Sequence, residues 1–435
     1  MSIEKINLLA TSNTKINGCI DVPGDKSISH RAIIISSIAH GRTKINGYLN
    51  AADINATINA CRAIGADIKI NNDTLIIDGN DLERTHGDNI ELNFGNSGTS
   101  MRLMMGVLSA QKFSSILIGD ESLNKRPMNR VSNPLLRMNA IIKTSDGTPP
   151  VTIDPIPFIK CVDHKVGIAS AQIKSSIMLA GLYGDNSFRI TTPRSRDHTE
   201  IMLSEFGCNI TIDSDSIKME PGKLVTPDII NVPGDISSAA FFIVGSIISN
   251  NSQIMIKNVG LNPLRAGLIE ILIMMGANIQ ITDVKKVNGE LIGTIYTESS
   301  TLNGIEIPKK LISSSIDELP LIVLAASQAK GKTSIRNAEE LRIKESDRIL
   351  SMIKMMDSFK ISTDEFPDGM NIYGGTIRGA RVNSYGDHRI AMTALIASLV
   401  SDSDILVEDC KNIDTSFPTF IEIANNVGLD IKKHD

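Results

Sequence analysis

Along the chain one hydrophobic pattern recurs: apolar residues at helical spacing, a Gly or small polar residue, then a short alternating run. It reads INACRAIGADIKI (58–70), PLLRMNAIIKT (134–144), IMLSEFGCNITI (201–212), IEILIMMGANIQI (269–281), ILSMIKMMDSFKI (349–361) and FIEIANNVGLDIKK (420–433). Ile58, Cys61 and Ile64 illustrate the i, i+3/i+4 stripe of an amphipathic helix, as do Ile269, Leu272 and Met275. Period-two segments such as Ile68-Lys69-Ile70 follow and predict strands. Six helix–strand units at a spacing of about 70 residues predict an α/β protein. A chain of 435 residues exceeds what one hydrophobic core usually supports, so the six units divide into two domains of three.

A doubled junction marks the division. Val22-Pro23-Gly24-Asp25-Lys26-Ser27 returns as Val232-Pro233-Gly234-Asp235-Ile236-Ser237, each time between an extended segment and a helical pattern. Pro fixes φ and Gly tolerates a sharp turn, which suits a crossover. The expected domains are 24–233, and 1–23 with 234–435, with crossovers near Pro23-Gly24 and Pro233-Gly234. The second copy, having Ile236 in place of Lys26, is expected only to return the chain.

Other helix starts carry cations too. KSISHRAIIISSIAHG places Lys26, Ser27 and Arg31 in or beside a first helical turn, where positive charge is disfavoured by about 0.3–1 kcal/mol. A bound anion would reverse that preference. Asn96-Ser97-Gly98-Thr99-Ser100-Met101-Arg102, Asn124-Lys125-Arg126-Pro127, Arg196 before Asp197 and Glu200 at capping-box spacing, Arg342–Arg348, and Gly386-Asp387-His388-Arg389 extend the pattern. Each alone reads equally well as a cap or a solvated charge run. Together they predict a pocket for a polyanion.

The totals sharpen this. With 44 basic against 49 acidic residues the net charge is −5, which argues against nucleic acid and acidic membranes as partners. The anion site must therefore be local. Five scattered cysteines predict reduced thiols, and the seven histidines show no ligand spacing, so no metal is expected. The N-terminus has no adequate apolar stretch for a secretory signal, and no run approaches the roughly 18 residues of a membrane span. A cytoplasmic protein is expected. For acid–base chemistry the candidates are Asp317, before the apolar run LPLIVLAASQA, and Glu345 between Lys344 and Arg348. Asp317 also reads as a plain N-cap.

The motifs PGDKSISHR, GNSGTSMRL, ASAQIKS, SRDHTE, IDELP, RIKESDR and GDHRIAM, in this order, resemble the 5-enolpyruvylshikimate-3-phosphate synthase family. Ser170-Ala171-Gln172 and SRDHTE resemble its second class. The resemblance implies a two-domain inside-out α/β barrel, each domain of three βαβαββ repeats, with the active site in the cleft between domains. It implies transfer of the enolpyruvyl group of phosphoenolpyruvate to the 5-hydroxyl of shikimate 3-phosphate, by a monomer without cofactor. Carried over by motif, Lys26, Ser27, Arg31, Ser170, Ala171, Gln172, Arg196, Asp317 and Lys344 would bind shikimate 3-phosphate. Lys26, Gly98, Arg126, Gln172, Arg348, His388 and Arg389 would bind phosphoenolpyruvate. Lys26, Asp317 and Glu345 would be catalytic, Asp317 accepting the hydroxyl proton and Glu345 protonating the methylene carbon.

The chain departs from the better-known class at Thr415, where that class has a lysine, with Lys411 four residues earlier. Two alternatives follow. The related transferase acting on UDP-N-acetylglucosamine commonly uses a loop cysteine, and QKFSSILIGDESLNKR has none. A non-catalytic anion-binding repeat scaffold would need neither Asp317 nor Glu345.

Overall fold

The computed structural model describes residues 6–81, 83 and 89–434. The chain forms two compact units. One contains Gly24–Val232 with Lys286–Glu290; the other contains the chain up to Pro23, Pro233–Lys285 and Leu291 onward. Lys286–Glu290 is the turn of a hairpin that the sequence reading gave to the second domain. Its own bonds explain the regrouping. Asn288 Oδ1 accepts from the Asn231 amide at 2.9 Å, its Nδ2 donates to the Ile229 carbonyl at 2.9 Å, and Glu290 Oε1 meets His198 Nδ1 at 2.6 Å.

In the 24–232 unit a strand–helix–strand–helix–strand–strand pattern occurs twice in full and once without its leading strand, whose place in the sheet is taken by Ile229–Asn231 at the end of the unit, and three four-stranded sheets form. The helices Lys26–Ile38, Gly98–Leu108 and Ala171–Gly181 are buried almost throughout and belong to one core. The first packs on the second and the second on the third. The last contact is close: a Cβ on Gly106 would lie 2.2 Å from the Ser176 carbonyl oxygen.

The other unit repeats the plan around its own core, with helices Ile236–Ile248, Leu319–Ser327 and His388–Ala397 packed together. All nine residues of Leu319–Ser327 are buried, as expected of a helix apolar on every side. The strands alternate instead, Lys332–Ile335 running exposed–buried–intermediate–buried, so helices fill the interior and sheets face out. Two sheets have four strands. The third has three, with parallel bridges Asn303–Lys330 and Glu306–Ser334 at its side.

Each junction follows a strand that pairs within its own unit. Asn17–Asp21, which leads into the first junction, pairs in parallel with Gln253–Gly260 of the same unit. Ile229–Asn231, which leads into the second, pairs in parallel with Arg42–Asn46. Each sheet therefore holds the strand that introduces the opposite unit's first helix.

All six periodic phrases end their helices before a left-handed residue: Gly65, Asn139, Gly207, Gly276, Lys360 and Gly428. In the fifth phrase that residue is Lys360, not a small polar one. The cysteines are free thiols, although Cys19 is exposed. Among the described residues no helix is long and apolar enough to cross a membrane.

Candidate active site

In the 24–232 unit the sequence motifs meet at helix starts. Asp25 caps the Lys26–Ile38 helix, its Oδ1 accepting from the Ile28 amide at 2.8 Å. Lys26, at the first position, forms an ion pair with Asp53 in the first turn of Ala52–Ala63. Arg31 is 3% exposed and ties three motifs together. Its Nε donates to Thr199 Oγ1 at 2.7 Å, Nη2 to Ser175 Oγ at 3.2 Å, and Nη1 to the Ser27 carbonyl at 2.9 Å. Burial above all lowers the Arg31 pKa to about 10; the charge of Glu200 opposes this and Arg196 adds to it. Arg31 remains a cation at neutral pH.

Two further helix starts complete this group. Ser97 caps Gly98–Leu108 and Ser170 caps Ala171–Gly181. Gln172 joins them, accepting from Arg102 Nη1 at 2.9 Å and donating to Thr99 Oγ1 at 2.9 Å. Buried Arg126 donates to Asn96 Oδ1 at 2.6 Å. Its neighbour Lys125 points outward to Glu121, so only one of the loop's two cations belongs here. Gly98 keeps the space between them: a Cβ would lie 3.1 Å from Arg102 Nη1 and 3.3 Å from Arg126 Nη1. Arg196 is half-buried just before His198–Glu205.

The capping box expected at Asp197 and Glu200 does not form. Asp197 makes no side-chain cap bond, and Glu200 turns inward to Lys174 Nζ at 2.5 Å. Burial raises the Glu200 pKa, and Lys174 works against that rise. His30, in the same region, has its pKa held well below 6.5 by burial and then by Lys26 and Arg31.

The other unit carries the acids. Arg348, 1% exposed, opens Arg348–Ser358 and donates through Nε to Asp387 Oδ2 at 2.7 Å, through Nη1 to Asp317 Oδ1 at 3.4 Å, and through Nη2 to Glu345. Burial works against its charge, but Asp387, Glu345 and Asp317 outweigh that and push its pKa up. Asp317 is not an N-cap. Its carboxylate faces Arg348 and, at 3.9 Å, Lys344; the cap position of Leu319–Ser327 belongs to Glu318. Asp387 caps the His388–Ala397 helix, accepting from the Arg389 amide at 2.9 Å. Arg389 Nη1 donates to the Asp317 carbonyl at 3.0 Å, and His388 is buried beside it in sequence.

The charge run Arg342–Arg348 thus splits. Arg342 bonds Asp347 and Glu365, each at 2.9 Å, and holds the local chain, while Lys344, Glu345 and Arg348 join the acid group. Thr415 Oγ1 donates to the Asn412 carbonyl at 2.7 Å, and Lys411 is exposed.

The second junction departs most from expectation. Ser237 Oγ donates to Glu318 and accepts from Arg265, and Arg389 Nη2 lies 3.3 Å away. Sequence reading missed Asp53, Lys174, Arg265, Glu318 and Asp387 as partners. Lys174, Glu318 and Asp387 lie inside ASAQIKS, IDELP and GDHRIAM, and all five are charged residues less than one-tenth exposed in or beside a hydrophobic run.

Each group offers cations and helix N-termini to anions, and the second adds three carboxylates, of Asp317, Glu345 and Asp387, sharing one arginine. Residues 10–423 match the family of EPSP synthase (3-phosphoshikimate 1-carboxyvinyltransferase). The chain is 44% identical over 420 residues to the 3-phosphoshikimate 1-carboxyvinyltransferase of Ruthia magnifica subsp. Calyptogena magnifica, covering 96% of both chains. It is 42% identical to that of Coxiella burnetii strain RSA 493 with the same coverage. The EPSP synthase structure from Acinetobacter baumannii superposes with TM-score 0.89 at 40% identity, over 99% of this chain and 100% of that one. The enolpyruvyl transferase NikO of Streptomyces tendae shares the fold at TM-score 0.80 and 14% identity, over 99% of each chain. With its matched residues spanning nearly the whole sequence, the chain belongs to the EPSP synthase (3-phosphoshikimate 1-carboxyvinyltransferase) family.

Proposed function

We propose that the two residue groups divide the work of one reaction. The enzyme transfers the enolpyruvyl group of phosphoenolpyruvate to the 5-hydroxyl of shikimate 3-phosphate and releases phosphate, a step of aromatic amino-acid biosynthesis. The observation that best supports the division is Arg348, whose guanidinium touches both Asp317 and Glu345.

In this reading Lys26, Ser27, Arg31, Ser170, Ala171, Gln172 and Arg196 hold shikimate 3-phosphate, with Lys344 and Asp317 completing its contacts. Lys26, Gly98, Arg126, Gln172, Arg348, His388 and Arg389 hold phosphoenolpyruvate. Planar guanidinium groups suit this task, because they pair with carboxylate and phosphate through two parallel bonds. Asp317 takes the proton of the 5-hydroxyl as that oxygen bonds to C2 of phosphoenolpyruvate. Glu345 gives its proton to the methylene carbon, so a tetrahedral ketal forms. Loss of phosphate and of one methyl proton then restores the enol ether. Positioned acid–base groups of this kind contribute typically 10²–10⁴-fold in rate. Expulsion of water around the anions strengthens each contact. We place the enzyme in the cytoplasm, as a monomer, with the 24–233 and 1–23/234–435 parts acting as its domains.

Phosphate release from phosphoenolpyruvate tests this reading. Release is expected with shikimate 3-phosphate and not with UDP-N-acetylglucosamine or without acceptor. Release with UDP-N-acetylglucosamine alone, or with neither acceptor in folded protein, would overturn it.

A further inference from the structure

We propose that Arg265 and Glu318 are positioning residues, which keep the charge of Arg389 available to the anionic substrate. The inference rests on the reading of Arg389 as a phosphoenolpyruvate contact. Glu318 is fully buried at the start of Leu319–Ser327 and makes no cap bond there. Both of its carboxylate oxygens accept from Arg265 Nη1, each at 2.8 Å. Ser237 Oγ bridges the pair. Arg265, 4% exposed, also stands 3.7 Å from Asp235 Oδ1, so two acids share its charge.

Arg389 touches the edge of this network through one long ion pair to Glu318 and one bond to Ser237, while its shortest bond lies outside it. Its Nη1 is 3.5 Å from Glu318 Oε1 but donates at 3.0 Å to the Asp317 carbonyl, while Nη2 reaches Ser237 Oγ at 3.3 Å. Burying a carboxylate this deep is costly unless a cation and hydrogen bonds meet it. Arg265 satisfies it. With Arg265 removed, the other arginine beside Glu318 is Arg389, which would close into a two-bond pair. Arg389 would then leave the Asp317 carbonyl and turn its charge from the substrate. Neutralising Glu318 removes that pull, so the two substitutions should compensate one another. This also accounts for Asp235 and Ser237 in a junction that lacks the lysine.

Steady-state kinetics on the full chain test the proposal with Arg389→Gln, Arg265→Met, Glu318→Gln and the Arg265→Met/Glu318→Gln double variant. Arg389→Gln and Arg265→Met should each raise KM for phosphoenolpyruvate about tenfold or more, leaving KM for shikimate 3-phosphate within about threefold. The double variant should return KM for phosphoenolpyruvate to within about threefold of the parent, a coupling that a merely structural role would not produce. If Arg265→Met does not fold, Arg265→Lys carries the test: it should raise the same KM, and adding Glu318→Gln should reverse the rise. An unchanged KM in the Arg265 variants beside a raised one in Arg389→Gln would overturn the positioning role alone. So would a double variant as impaired as the single. An unchanged KM in Arg389→Gln would overturn the reading of Arg389, and this proposal with it.

Discussion

The two junctions share five of their six residues and differ only at the fifth position, and the difference reaches further than one side chain. In VPGDKS, Lys26 is half-buried and paired with Asp53, and the helix behind it carries His30 and Arg31. In VPGDIS, Ile236 is 1% exposed in a hydrophobic core, and Ile236–Ile248 contains no titratable side chain. Its charges come from elsewhere, through Arg265, Glu318 and Arg389 gathered around Ser237. The same turn thus presents charge from its own helix in one unit and recruits it from neighbouring elements in the other. A duplicated backbone motif keeps its geometry, set by Pro, Gly and a capping Asp, while its chemistry depends on the environment of one position.

Exchanging that position is the strongest way to probe the contrast. Lys26→Met should lower kcat/KM by about 10³-fold or more, since the proposed substrate contact is lost, while the variant still folds with a lowered thermal midpoint because buried Asp53 loses its cation. Near-normal turnover would remove Lys26 from the site. The reverse exchange, Ile236→Lys, should instead cost stability, about 3–5 kcal/mol by denaturant unfolding, because a cation is driven into an apolar core already holding Arg265. A folded, stable Ile236→Lys would mean that the second junction is more open than its burial indicates.

The two glycines differ in the same direction. A Cβ on Gly24 would lie 1.9 Å from the Gly47 carbonyl oxygen, an immovable backbone atom, whereas on Gly234 it would meet a Val22 methyl at 2.9 Å. Gly24→Ala should cost about 3 kcal/mol and Gly234→Ala about 1 kcal/mol, read by chemical denaturation. Equal costs would contradict the tighter packing of the first turn. The smallest effect expected is in pH. His30 stays neutral when folded but takes a proton near pH 6.5 when unfolded, so the unfolded state binds more protons below that value. Stability should therefore fall as pH drops below 6.5, and His30→Gln should flatten that part of the profile. The second-junction helix can contribute no such dependence.

Much of this was legible in the sequence, for identifiable reasons. Period and spacing revealed six units because each buries its own helical stripe, and in four of them a glycine takes the left-handed position that follows the helix. Lys26, Arg31, Arg126 and Arg348 stood out because cations at helix starts oppose the dipole and need an anion. Buried partners did not stand out. Asp53 and Glu318 look like ordinary first-turn acids, and only the fold shows that each answers a cation from a distant segment. The false capping box at Asp197 and Glu200 has the same origin: the spacing was right, but Lys174 competes for the carboxylate from another helix. Local patterns reveal what a segment offers, whereas pairing across segments decides what it does.

The division of labour itself is tested most directly by calorimetric titration of shikimate 3-phosphate into the Glu345→Gln variant. Glu345 is assigned to protonating the other substrate, so Kd should stay within about threefold of the parent while phosphate release falls about 10²–10⁴-fold. Lost binding of shikimate 3-phosphate in a folded variant would contradict the account, because Glu345 would then belong to the site that holds the acceptor.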